Sequence, residues 1–361
     1  MPEVRFDVVS GAFAVIATER AKRPSDWKAA QKAHADLPEK DPACPFCPGN
    51  EGQTPPELTA LRDSGGPDQP GWRVRVVPNK FPALVLPEAL PEEEREMPRV
   101  PGQVPEDLDT AMYWRSPGVG AHEVVIEGSA HNGTLGTYTK SHLRDVFLTL
   151  KERVLSLYDR KEVKYVQVFK NHGERGGASL AHPHFQIIGL PVMPTTLANE
   201  ATRQREYESR TGRCLFCDLV EREIEKDIRV ISKTRDFAVL APFASRYSFE
   251  TVIVPRKHIS SLADAGADYF LALADSTVDL FGRYEAMFSS LPYNMVFHGL
   301  PGTARGTRDW PYHAHIHVYP RLGTEAGLEL GTGVHINPSP PEEVAKQFIA
   351  ASAREEGYVH A

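Results

Sequence analysis

The sequence predicts an α+β chain made of two copies of one unit, and three observations carry that reading. Two CxxC pairs, Cys44–Cys47 and Cys214–Cys217, begin 170 residues apart. Each is followed by β-like segments, one long amphipathic helix, a further strand and a strand rich in histidine. The order is the same in both halves, as an internal duplication with a boundary near 195–212 would give. The length of 361 residues suits two domains, with sheets faced by helices.

Composition narrows the function classes. Apolar residues at 41% and charged residues at 25% are those of a globular chain. A net charge of −7 and a pI near 6.1 speak against a nucleic-acid partner. Mean hydropathy is −0.36 and no apolar run is long enough to span a bilayer, so no membrane partner is expected. Glu3, Arg5, Asp7, Glu19 and Arg20 interrupt any signal-peptide core, and a cytoplasmic location is expected.

Taken in order, residues 18–70 and 87–108 are rich in Pro, Gly and charge and read as irregular surface insertions. Segments 73–77 and 123–126 read as strands. A helix near 141–160, capped by Ser141, carries Leu143, Val146, Phe147, Leu150, Val154 and Leu157 on one stripe. Strands at 165–169 and 184–190 follow, then a polar helical connection at 195–212. The second half reads as strands near 228–232, 236–241 and 249–254 and a helix near 264–289. That helix spaces Phe270, Leu273, Leu280, Phe281, Tyr284 and Phe288 on one face. Strands near 293–298 and 313–319 and a helix from about Pro340 complete it. Two domains result, 1–194 and 195–361.

In a cytosolic chain, paired cysteines favour metal over disulfides. Cys44 follows Asp41-Pro42-Ala43 and Cys47 precedes Pro48-Gly49-Asn50, which is loop chemistry and the mark of half a zinc site. Histidines supply the rest. His182, His184 and Gln186 alternate, as do His313, His315 and His317, so each set falls on one strand face. Pro183 inside the first strand suggests a bulge or an edge. His131 precedes His182 by 51 residues and His258 precedes His313 by 55. The halves therefore offer Cys44, Cys47, His131, His182 and Cys214, Cys217, His258, His313. Each is a closed Cys2His2 set, so two zinc ions per chain are expected and neither should activate water.

With His182 committed to metal, His184 is free on the same face. A positioned neutral imidazole can attack phosphorus and split one transfer into two steps. The Gln186 amide can hydrogen-bond a phosphoryl oxygen. The preceding loop, Asn171 to Ser179, contains Gly173, Gly176 and Gly177, which let backbone N–H groups approach an anion, and Ser179 adds a hydroxyl. Lys80, Lys170, Arg175 and Arg321 are candidate cations to offset the net negative charge.

This constellation resembles the galactose-1-phosphate uridylyltransferases and the related ADP-glucose phosphorylases, the transferase branch of the histidine-triad superfamily. His182-Pro183-His184-Phe185-Gln186 carries the resemblance, with the segment from Val76 to Leu84, Phe249-Glu250-Thr251, Gly331-Thr332-Gly333 and Ile336-Asn337-Pro338. It implies tandem histidine-triad-like domains of mainly antiparallel sheet and a homodimer. It also implies that His184 is the nucleophile, that Gln186 and Ser179 contact its phosphate, and that Asn79, Phe81 and Asn171 line the nucleotide pocket. Cys44, Cys47, His131 and His182 fall on the family's metal positions, and iron is the alternative to zinc in the second half.

The reaction implied moves a nucleoside monophosphate, UMP first, between hexose 1-phosphates by a ping-pong route, with nucleotide sugar and sugar 1-phosphate as partners. A nucleotide-sugar phosphorylase and a histidine-triad hydrolase are the alternatives. A zinc-ribbon binding module is disfavoured, since ribbons bring their pairs within about 15–20 residues. Phe185 stands where the best-known family member has glycine, and the second half keeps a full histidine triad. Its loop from Asn294 to Gly306 does not repeat the first-half pattern, so a decayed second site is expected.

Overall fold

The computed structural model describes residues 1–22, 37–92, 112–113, 115–299 and 312–356. The insertion readings at 23–36 and 93–108, and the segment 300–306, lie outside the described residues. The strands are β1 (Glu3–Phe6), β2 (Phe13–Ile16), β3 (Thr59–Arg62), β4 (Trp72–Pro78), β5 (Ala121–Ile126), β6 (Tyr165–His172), β7 (His184–Leu190), β8 (Val230–Lys233), β9 (Phe237–Leu240), β10 (Thr251–Pro255), β11 (Tyr293–His298), β12 (His315–Pro320) and β13 (His335–Asn337). The helices are α1 (Lys140–Tyr158), α2 (Thr195–Thr211), α3 (Leu215–Lys226), α4 (Ala267–Met287), α5 (Gly327–Thr332) and α6 (Pro341–Glu356). No described helix is long and apolar enough to cross a membrane.

Ten strands form one antiparallel sheet in the order β3-β4-β5-β7-β6-β11-β12-β10-β9-β8. Read outward from the middle, the two halves follow the same sequence of strands. They meet where β6 pairs with β11, Asn171 opposite Asn294. Three further strands make a small sheet, β1-β2-β13, in which β13 runs parallel to β2.

The α1 stripe is buried as its periodicity requires: Leu143, Val146, Phe147, Leu150, Val154 and Leu157 are at most 5% exposed. Burying each such side chain is worth about 1.5–3 kcal/mol before entropy is counted. They pack with Phe270, Leu273, Leu280 and Phe281 of α4 over the sheet face that carries Phe185 and Ile187. Arg153 of α1 holds Glu123 of β5 with two bonds of 2.7 and 2.8 Å.

Several sequence readings need correction. Thr139, not Ser141, caps α1, because the helix begins one residue earlier and His142 N–H donates to Thr139 Oγ1 at 3.2 Å. The stretch 18–70 contains β3, which pairs with β4 despite its Gly- and Pro-rich flanks. Pro183 lies just before β7 rather than inside it, so it removes no ladder donor. β7 is also a central strand, between β5 and β6. His182 and His313 consequently sit at strand entrances rather than within strands.

Candidate active site and metal centres

Alternation along β7 turns His184 and Gln186 to one face and Phe185 into the core, where it meets Phe147 at 6.4 Å between ring centroids. On the open face lies a cavity of about 580 Å³. Pro45, Phe46, Gln53, Asn79, Lys80, Phe81, Val124, Ser179, His184 and Gln186 are among its lining residues. Phe46, between the first two cysteines, presents its ring edgewise to the His184 ring at 5.3 Å.

His184 Nδ1 lies 2.8 Å from the carbonyl oxygen of His182. A carbonyl only accepts, so Nδ1 carries the proton and Nε2 holds a free lone pair. Burial lowers the His184 pKa to about 4 against the opposing pull of that carbonyl, with Lys170 and His182 adding to the fall. The imidazole is therefore neutral at physiological pH, with Nε2 unprotonated.

The loop before His182 is anchored on the second half of the sheet. Asn294 Nδ2 donates to Asn171 Oδ1 at 2.8 Å and to the Gly176 carbonyl at 2.7 Å. A Cβ at Gly176 would lie 2.7 Å from the Tyr293 carbonyl oxygen, so only glycine allows this approach. Gly177 adopts φ of +83°, the left-handed region. Asn171 and Gly177 are not among the residues that line the cavity, although Ser179 of the same loop is.

The candidate cations separate. Lys80 lines the cavity. Lys170 does not: it is buried on the Phe185 side of the sheet, its ammonium 5.3 Å from that ring and ion-paired with Glu127. Alternation explains the correction, since its neighbours Phe169 and Asn171 take the other face. Arg175 reaches Thr324 at 3.3 Å, and Arg321 stacks on Tyr247 at 5.0 Å while facing Glu325 at 3.6 Å. Neither lines the His184 cavity.

Cys44, Cys47, His131 and His182 converge, with their ligand atoms all within 4.8 Å of one another, and all four are buried. Cys47 Sγ lies 3.5 Å from His131 Nδ1 and 3.6 Å from His182 Nδ1. Zinc bond lengths in a tetrahedron give S···N separations of about 3.6 Å, so the cradle fits that ion. His182 Nε2 donates to the Gly128 carbonyl at 2.8 Å, which turns Nδ1 toward the centre. The second set repeats this geometry: His313 Nδ1 lies 3.5 and 3.6 Å from Cys214 and Cys217, and its Nε2 donates to the Pro255 carbonyl at 2.9 Å. It is more open, with half-buried cysteines and an exposed His258. Here Cys214 is the N-cap of α3, so this pair opens a helix rather than lying in a loop.

A third group was missed by sequence reasoning. His315, the second-half counterpart of His184, also donates Nδ1–H to the carbonyl two residues back, at 3.1 Å. Its Nε2 faces His298, His317 and Glu200, 3.9 Å from Glu200 Oε2, and is buried with no hydrogen-bond partner among the described residues. His298 Nδ1 lies 3.0 Å from Glu200 Oε2. Three imidazoles and a carboxylate suit a divalent transition metal. Glu200 comes from α2 and His298 from the end of β11, and no spacing motif links them to the triad.

The N-terminal domain model of galactose-1-phosphate uridyl transferase matches residues 1–194, and the C-terminal domain model matches 200–346. The chain belongs to the galactose-1-phosphate uridyl transferase family. Within this family it is 33% identical to the ADP-glucose phosphorylase of Arabidopsis thaliana, over 96% of this chain and 92% of that one. It is 27% identical to the galactose-1-phosphate uridylyltransferase of Haemophilus influenzae, over 89% and 84%. The crystal structure of an Arabidopsis thaliana ADP-glucose phosphorylase with bound ADP-glucose superposes with a TM-score of 0.77 at 30% identity. That match covers 97% of this chain and 98% of the other. The transferase-family assignment makes this chain a nucleotidyltransferase with an α+β fold.

Proposed function

We propose that this chain transfers a nucleoside monophosphate from a nucleotide sugar through a covalent bond to His184 Nε2. The observation that carries the reading is the Nδ1–H bond to the His182 carbonyl, which leaves Nε2 unprotonated at the cavity wall. The lone pair of Nε2 attacks the α-phosphorus and forms a P–N bond. The bond from that phosphorus to the bridging oxygen breaks, and a sugar 1-phosphate leaves with the electron pair. An acceptor phosphate oxygen then attacks the same phosphorus and the P–N bond breaks, which gives ping-pong kinetics.

Gln186 and Ser179 act as donors to the phosphoryl oxygens, Lys80 offsets charge, and Asn79 and Phe81 form the nucleotide side of the cavity. Asn171 and Gly177 shape its loop edge. Zinc in each Cys2His2 set would be structural, since four protein ligands leave no open position. We assign residues 1–194 to the reacting domain and 195–361 to a domain holding the second metal, and a homodimer follows the family resemblance.

Hexose 1-phosphate is the acceptor on the uridylyltransferase reading, with UMP transferred. Inorganic phosphate is the acceptor on the second reading, which the likeness to the plant ADP-glucose phosphorylase favours. To separate them, the enzyme is loaded with UDP-glucose or ADP-glucose and desalted. Galactose 1-phosphate or phosphate is then added alone. Release of UDP-galactose supports the transferase, and release of UDP or ADP only with phosphate supports the phosphorylase.

A further inference from the structure

His122, on β5, belongs to none of the metal sets, yet it contacts Gln186 from the strand next to β7. Its ring has three neighbours. The Ala83 backbone N–H donates to Nδ1 at 3.1 Å, Gln186 Oε1 lies 2.8 Å from Nε2, and Asn79 Nδ2 lies 3.1 Å from Nε2. The loop carrying Ala83 is itself tied to this residue, since Asn79 N–H donates to the His122 carbonyl at 2.8 Å. Phe81 N–H donates to Asn79 Oδ1 at 2.9 Å.

One of these partners has no freedom of role. A backbone amide can only donate, so Nδ1 must be the bare nitrogen of a neutral ring and Nε2 must carry the proton. Burial also lowers the His122 pKa and disfavours the doubly protonated form. An Nε2–H can only donate, so it captures the Gln186 amide by its oxygen. The amide NH2 of Gln186 is then turned away from His122, and the Asn79 NH2 is left without an acceptor among the described residues. The Gln186 NH2 is thereby left to donate to an acceptor on a ligand, while the Asn79 NH2 meets an N–H rather than an acceptor at Nε2.

We infer that His122 is a positioning residue that fixes the amide of Gln186 with its NH2 toward the phosphoryl group on His184. The chain of polarity runs from the Ala83 N–H through the imidazole to the Gln186 amide. Without it the amide could flip and present its oxygen to an anion, which would repel it. The inference rests on the nucleotidyl-transfer reading only for where the NH2 is used.

Long-range 1H–15N correlation spectra of the intact protein labelled in histidine test the first link. The expected His122 pattern is the neutral Nε2–H tautomer, and an Nδ1–H pattern overturns the inference. Single-turnover labelling of His184 by a nucleotide sugar tests the second. His122→Phe should slow labelling at saturating donor about tenfold or more, with the donor Kd changed less than about twofold. His122→Gln keeps a donor and an acceptor in reach and should restore most of the rate. Gln186→Ala should slow it about 10²–10³-fold, as loss of a donor to developing charge does. In that background His122→Phe should have no further effect, because it acts through the missing amide. Multiplying losses in the double variant would overturn the inference. If the unaltered protein forms no adduct with any donor, the transfer reading fails while the tautomer result still decides the His122 link.

Discussion

The carbonyl oxygen of His182 holds His184 Nδ1 at 2.8 Å, while the ring of His182 itself faces two cysteines. One residue thus bears on the Cys/His cluster through its side chain and on His184 through its backbone. The two histidines should consequently fail differently. His184→Ala should cut turnover on the order of 10⁴-fold or more and leave zinc content and melting temperature nearly unchanged. His182→Ala should lose about one zinc per chain and melt at a lower temperature. Elemental analysis and calorimetry on the two variants separate these outcomes.

The two Cys2His2 sets differ in exposure, and this should appear as two rates of metal loss. Cys214 and Cys217 are half-buried and His258 is exposed, whereas all four residues of the first set are buried. A chelator should remove one zinc quickly and the other only as the chain unfolds. The fast phase should vanish in Cys217→Ser and persist in Cys44→Ser. Cys44→Ser should lower stability by several kcal/mol, since metal binding is folding free energy in such sites. The pH profile of turnover should not move, because a closed site makes no metal hydroxide.

Lys170 and Glu127 form a fully buried pair, and burial pushes both toward neutrality, the lysine pKa down and the glutamate pKa up, against the attraction of each for the other. Lys170→Met alone should cost about 3–5 kcal/mol, because it strands the Glu127 carboxylate. Adding Glu127→Leu should recover much of that loss. Chemical denaturation of the single and double variants measures both.

Much of this was legible from residue patterns. Tyr293–His298 read as a strand with its observed bounds, and the body of His184–Leu190 read as one too, although the sequence also drew Pro183 into it. The stripe of α1 read as well, because helical period and burial are the same fact. What escaped depends on contacts between distant elements. Glu200 joins His298 and His315 only because α2 lies against the sheet, and β6 meets β11 across more than a hundred residues. Lys170 looked like a substrate cation because it adjoins Asn171, but the next position along a strand faces the other way. His122 carried a weak signal, an isolated polar residue alternating with Val124 and Ile126.

Glu342 on α6 receives hydrogen bonds from Arg5 at 2.9 Å and from Arg229 at 3.0 Å, which tie the small sheet and the start of β8 to the last helix. Partial burial would raise its pKa, but the two arginines outweigh that and hold it below the ordinary 4.5. The stability it contributes is therefore present above about pH 4.5 and is lost as pH falls through the lowered folded value. Glu342→Gln should cost about 1–2 kcal/mol at pH 7, discounted for its partial exposure. The gap between variant and parent should narrow as pH falls below about 4.5, as melting curves across pH would show.

The proposed chemistry turns on a covalent bond between His184 and a nucleotide. Intact mass of the protein after brief mixing with UDP-glucose or ADP-glucose, followed by fragmentation of the adduct peptide, tests it most directly. The expected result is a single added nucleoside monophosphate on His184, lost on addition of an acceptor and absent in His184→Ala. Turnover with no such adduct on the trapped enzyme, or an adduct carried by His315 instead, would contradict the account.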